Sequence, residues 1–122
     1  MNKNMDKNKT LTEEQLDALI EEATVDCYDN YECLIGFSVM IQDNIHAPFP
    51  AKVVGEEVTV TDVTEDDNTI LAVCQRNGKE YKVNILDLEA DYFKIKGSEW
   101  IAAYRAWHGG ITIENRLQDR PI

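Results

Sequence analysis

Asn77-Gly78 lies between two strand-like runs, Ile70 to Gln75 and Glu80 to Leu86. Both central residues of the tightest hairpin turn need φ > 0, which Asn and Gly tolerate best. The pair commits this stretch to two antiparallel neighbours, and the rest of the chain must pack around a sheet. Val58 to Val63 alternates cleanly, Ala51 to Val54 reads as a short strand, and Gly55-Glu56-Glu57 joins them as a turn. Leu34 to Ile45 is rich in β-branched and aromatic residues and reads as a further strand ending at Gln42-Asp43-Asn44. His46 to Pro50 reads as a loop, since both prolines remove a ladder donor. Thr64 to Asn68 is a polar acidic loop. About five evenly spaced strands imply a small, strongly bent antiparallel sheet or barrel.

Helices flank the sheet. Thr10 with Glu13, or Thr12 with Gln15, fits a capping box. Leu16, Leu19, Ile20, Ala23 and Cys27 then form one apolar stripe, so a helix is expected from about Thr12 to about Tyr28, followed by an Asp29-Asn30 turn. Ser98 suits the cap of a second helix, with Trp100, Ile101, Tyr104, Trp107 and His108 on its apolar side and Gly109-Gly110 as its end. The domain organisation is then a polar, disordered leader over residues 1–10, one α+β domain over 11–110, and a tail over 111–122. With 43% apolar residues in 122, the chain can bury a core without disulfides. Cys27, Cys33 and Cys74 are odd in number and lack C-x-x-C spacing. They read as reduced, mostly core thiols of a cytoplasmic protein.

The charge distribution narrows the function. From Leu11 to Leu34 the chain places Glu13, Glu14, Asp17, Glu21, Glu22, Asp26, Asp29 and Glu32 and not one Lys or Arg. Surface helices normally interleave the signs, because like charges at i,i+4 cost a few tenths of a kcal/mol. A formal net charge of −11 disfavours nucleic acid and anionic membranes as partners. No apolar run approaches the length that crosses a bilayer. Cations or a basic protein partner fit the field better.

Hard cations such as Ca²⁺ take six to eight oxygen ligands from Asp, Glu, Asn and carbonyls. Suitable donors cluster at Glu21, Glu22 and Asp26, at Asp43 and Asn44, and at Glu65, Asp66, Asp67 and Asn68. The EF-hand pattern is absent, so a site would gather ligands from separate elements. The plainer account is a solvated acidic surface, with Asp43-Asn44 as a turn that hydrogen-bonds its own backbone. Zinc ligation has little support, because His46, His108 and the cysteines lack ligand spacing. There is no Gly-x-Ser-x-Gly and no Gly-rich phosphate loop, and enzyme activity is not expected. Trp100, Tyr104 and Trp107 are better explained as core than as a partner platform.

An ordered succession of short blocks resembles a known family. Glu21-Glu22-Ala23-Thr24-Val25-Asp26 is similar to its helix signature. Phe37 with Met40, Asp43-Asn44, Pro48-Phe49, Val54-Gly55 with Val58 and Val60, and Ile70 to Arg76 continue it. Ile85-Leu86-Asp87-Leu88 and Trp100 with Ala103-Tyr104-Arg105 and Trp107 close it. The chain thus resembles the small acidic bacterial calcium-binding proteins of the CcbP type over about residues 14 to 107. The resemblance implies a cytoplasmic Ca²⁺ buffer or sensor without EF-hands. It also implies an N-terminal helix packed on an SH3-like β-barrel, with a C-terminal helix. Binding would use surface carboxylates: Asp43 first, then Glu21, Glu22 and Asp26, with Asn44 able to add an amide oxygen. The rival reading is an acidic interaction module, a nucleic-acid mimic included, that covers an unidentified basic protein.

Overall fold

A computed structural model describes residues 11–66 and 68–119, with backbone only at 93 and 110–119. The expected leader over 1–10, the Thr10 cap, Asp67 and the last three residues of the tail lie outside the described residues. The element order is α1 (Glu13–Ala23), α2 (Asn30–Asn44), β1 (Phe49–Val53), β2 (Glu56–Glu65), β3 (Ile70–Arg76), β4 (Lys79–Asn84), two short 3₁₀ turns (Ile85–Asp87 and Tyr92–Lys94), and α3 (Glu99–Asp119).

Thr12 and Gln15 form the capping box, each side chain accepting from the other's backbone N–H, at 3.0 and 2.9 Å. The helix ends at Ala23, short of the expected Tyr28. Thr24 closes it with both its N–H and its hydroxyl on the Ile20 carbonyl. The largest departure is α2, which occupies the segment expected as a strand. Asp29 caps it by accepting from Glu32 N at 2.8 Å, so the Asp29-Asn30 turn is in fact a helix start. Local capping and two apolar faces outweigh the β-branched composition of Leu34 to Ile45. α3 runs through Gly109 to Asp119. A helical Gly costs only about 1 kcal/mol against Ala, which weakens a helix without ending it. Ser98 precedes α3 as expected, and its hydroxyl donates to the Tyr92 carbonyl at 2.7 Å.

The strands form one antiparallel meander, β1-β2-β3-β4. Asn77 (φ 55) and Gly78 (φ 78) make the expected two-residue turn between Arg76 and Lys79. β1 begins at Phe49, inside the segment expected as loop, and Pro50 is tolerated there because β1 is an edge strand. β2 shifts register between Val60 and Asp62. The bulge re-phases the strand, so Val58, Val60 and Val63 all point to the core. The sheet has four strands rather than about five and stays open, without closing into the expected barrel. A single bridge, Lys52 to Glu89, ties the chain beyond β4 back to β1.

The β1–β2 turn is also two residues long, and Val54 (φ 51) sits where the other turn has Asn. A β-branched residue is ill suited to that conformation. Val54 is 89% exposed and has no packing to lose. Val54→Asn is expected to stabilise the fold by about 1 kcal/mol, a rise of roughly 4 °C in Tm for a domain of this size. Thermal unfolding of the pair checks it, and an unchanged Tm would mean that the turn holds no strain.

The core lies between one sheet face and the helices. Leu34, Phe37 and Ile41 of α2 meet Phe49, Val58, Val60, Ile70, Ala72 and Cys74 of the sheet, with Ile101 and Tyr104 of α3. Phe37 stands 5.7 Å from the ring of Tyr104 and 5.2 Å from that of Trp107, so these aromatics close the core. α1 rests on α2 and α3 through its apolar stripe. Gly36 permits the contact with α2, since a Cβ there would overlap the Ala23 carbonyl.

Burial raises the pKa of Tyr104 against a smaller opposing backbone hydrogen bond at Ile70. Burial likewise raises Tyr92, offset in part by Arg105. A pKa raised on folding supports the fold below the ordinary tyrosine value of about 10, and that support is lost as pH climbs through the higher folded value. Urea midpoints should therefore hold to about pH 9 and fall above about pH 10, less steeply in Tyr104→Phe. A midpoint indifferent to alkali would contradict this.

Candidate cation-binding surface

Glu21 and Glu22 are exposed on the last turn of α1, and Asp26 is exposed in the loop after it. That loop is well tethered. Tyr28 N donates to Glu32 Oε1 at 2.7 Å. Cys27 and Cys33 are joined in a disulfide across a Cα separation of 5.2 Å, contrary to the expectation of reduced thiols. The early end of α1 explains the pairing: Cys27 leaves the helical stripe and folds back onto the first turn of α2. Cys74 is buried and free, and burial raises its thiol pKa.

Asp43 and Asn44 form the exposed last turn of α2, where a strand end had been expected. Asn44 Nδ2 donates to the Met40 carbonyl at 2.8 Å, which turns the amide nitrogen to the helix and leaves the oxygen as donor for a ligand. Neither α1 nor α2 carries a basic residue in its last turn. Indeed no Lys or Arg occurs between Lys9 and Lys52. A helix C-terminus already holds negative partial charge, and an anion there costs typically 0.3–1 kcal/mol. Glu21, Glu22, Asp26 and Asp43 take part in no ion pair among the described residues. A cation bound at either helix end would relieve that repulsion.

The two helix ends are also apart. Ala23 meets α2 at Gly36, and Asn44 lies eight residues further along, about 12 Å at 1.5 Å per residue. Among the described residues no three His, Cys, Asp or Glu side chains converge in a metal-holding group. The structure therefore separates Glu21, Glu22 and Asp26 from Asp43 and Asn44.

Glu65, at the end of β2, is brought against α2 instead. Its Oε1 accepts from the Ser38 hydroxyl at 2.5 Å and from Gln42 Nε2 at 3.0 Å, and Gln42 also donates to Ser38 at 2.8 Å. Ser38 is 1% exposed, the one buried polar side chain among the described core. This triad escaped the sequence reading because Ser38 and Gln42 come within reach of one carboxylate only at the short rise of a helix, about 6 Å over four residues against about 13 Å in a strand. It fixes the start of the acidic loop, where Asp66 N donates to the Thr69 carbonyl at 2.8 Å. The candidate ligands are all oxygens of Asp, Glu and Asn, a set suited to a hard cation and not to zinc or copper. A shallow groove of about 870 Å³ across β1, β2 and β3 contains Lys52, Arg76 and Glu89 and none of the candidate ligands. No described helix is long and apolar enough to cross a membrane.

The sequence profile of the CcbP family, described as calcium binding, matches residues 17–108. The chain belongs to this calcium-binding family. Its fold is similar to the crystal structure of CcbP from Anabaena, at a TM-score of 0.68 and 23% identity over 80% of this chain and 92% of that one. It is also similar to a calcium-binding protein in its calcium-binding form, at a TM-score of 0.63 and 23% identity over 80% and 91% of the two chains. Comparison with curated proteins returned no match.

Proposed function

We propose that this protein binds Ca²⁺ reversibly as a buffer or sensor without an EF-hand. Membership of the calcium-binding family supports the choice of ion. The observation that carries it is the pair of helix ends that hold carboxylates without a Lys or Arg. Asp43 and the Asn44 oxygen would serve one end, and Glu21, Glu22 and Asp26 the other. Backbone carbonyls and water would complete each shell, with Glu65 held nearby as a further acid. Such open surface sites are less caged than an EF-hand loop, so affinity should be moderate.

Titration calorimetry of the full chain in physiological salt, with Mg²⁺ as control, tests the reading. Saturable heat with Ca²⁺, small with Mg²⁺ and reduced in Asp43→Ala, is the expected result. Heat that vanishes with added salt would mean that the acids form only a diffuse field.

A further inference from the structure

The outer face of α2 stays largely exposed among the described residues although it carries large apolar side chains. Its inner positions Leu34, Phe37 and Ile41 enter the core, Ser38 and Gln42 meet Glu65, and the Gly36 side receives α1. What remains is Tyr31 and Val39, on one face at helical spacing with Ile35 between them, itself partly buried against the core. Tyr31 is 55% and Val39 49% exposed. Tyr28, 90% exposed, lies two residues before α2, its backbone N–H held by Glu32 and its chain by the neighbouring disulfide. A helix apolar all round is normally buried on all sides. Contiguous exposed apolar surface rimmed by polar groups marks an interaction site.

The rim chooses the partner. Glu32 and Asp43 flank Val39 at helical spacing on α2, Asp26 and Asp29 lie in the chain just before the helix, and no Lys or Arg occurs from residue 10 to residue 51. A second copy of a chain with net charge −11 would bring like charges together. We propose that the Tyr28–Tyr31–Ile35–Val39 stripe docks a Lys/Arg-rich amphipathic helix of a partner protein. Its apolar side would lie on the tyrosines and Val39, and its cations on the flanking carboxylates. This inference does not rest on the calcium reading, but the two share Asp26 and Asp43, so bound Ca²⁺ would compete with the partner's cations.

The test is fluorescence anisotropy in EDTA at about 0.15 M salt. The probe is a fluorescein-labelled Leu/Lys peptide with helical spacing, and oligolysine of equal charge is the control. Saturable binding of the amphipathic peptide, at least tenfold tighter than oligolysine, is expected. It should weaken tenfold or more in Tyr28→Ser/Tyr31→Ser and change less than twofold in Glu13→Gln/Glu14→Gln, on the far end of α1. Equal binding of both peptides, or indifference to the tyrosines, would overturn the proposal in favour of a diffuse field. Sedimentation showing a dimer that the tyrosine variant loses would assign the face to a second copy, and tighter peptide binding on deleting residues 1–10 would assign it to the chain's own Lys3, Lys7 and Lys9. Either outcome also overturns it.

Discussion

Gly97→Ala is expected to destabilise the protein by about 3–5 kcal/mol, the largest effect of any single methyl in the fold. Two costs coincide. Gly97 has φ +89, where an L side chain is strained. A Cβ there would also overlap the Asn44 carbonyl and the Ile45 Cα. Those are backbone atoms, so no rotamer change relieves the clash. The turn before α3 would have to lift off the end of α2, breaking the 3.0 Å bond from His46 N to the Lys96 carbonyl. Urea unfolding measures the loss, which corresponds to more than about 10 °C in Tm. Gly109→Ala is the internal control: it is helical with open space around it and should gain up to about 1 kcal/mol. If Gly97→Ala stayed within about 1 kcal/mol of the parent, this turn could not be seated on α2 as described.

That turn also shows where sequence reasoning runs out. The hairpin at Asn77-Gly78 and the Thr12–Gln15 box were legible because each is a local contract between a residue type and a backbone geometry. The inward phase of Val63 was not, since a bulge leaves no residue signature in Val58–Thr59–Val60–Thr61–Asp62–Val63. α2 was lost for a different reason. Periodicity reveals a helix only when one face is polar, and this helix is apolar inside at Phe37 and Ile41 and outside at Tyr31 and Val39. The available signal was the spacing Asp29-x-x-Glu32, a helix start that the structure uses with Asp29 as cap. Misreading α2 hid the Ser38–Gln42–Glu65 triad and the outward apolar residues, because only the short rise of a helix brings residues four apart close together. The acids themselves were legible; their division between two helix ends is tertiary, set by where Gly36 lets α1 cross α2.

A combined variant, Glu21→Gln, Glu22→Gln, Asp26→Asn and Asp43→Asn, should reverse its stability order with the parent according to calcium. In EDTA the variant is expected to be more stable by about 1–2 kcal/mol, because carboxylates leave two helix C-termini and the like-charged pair Asp17–Glu21 is broken. With Ca²⁺ at a hundred times its Kd, the parent should gain about 2.7 kcal/mol per site, and the variant should gain nothing. The parent then overtakes. Parallel thermal melts with EDTA, Ca²⁺ and Mg²⁺ read this directly. The crossing also separates ligation from simple screening. Salt or Mg²⁺ at matched ionic strength relieves the parent's repulsion by tenths of a kcal/mol and cannot lift it far above the variant. Asp43→Asn alone, against the three substitutions around the end of α1, then assigns the gain. If each removes part of it and their losses add, the two ends bind separate ions, as their separation of about 12 Å along α2 implies. If either abolishes the whole, one ion spans both ends and draws α1 and α2 together on binding. Equal calcium shifts in parent and combined variant would sink the assignment of these residues and leave Glu65 and the loop after β2 as the place to look.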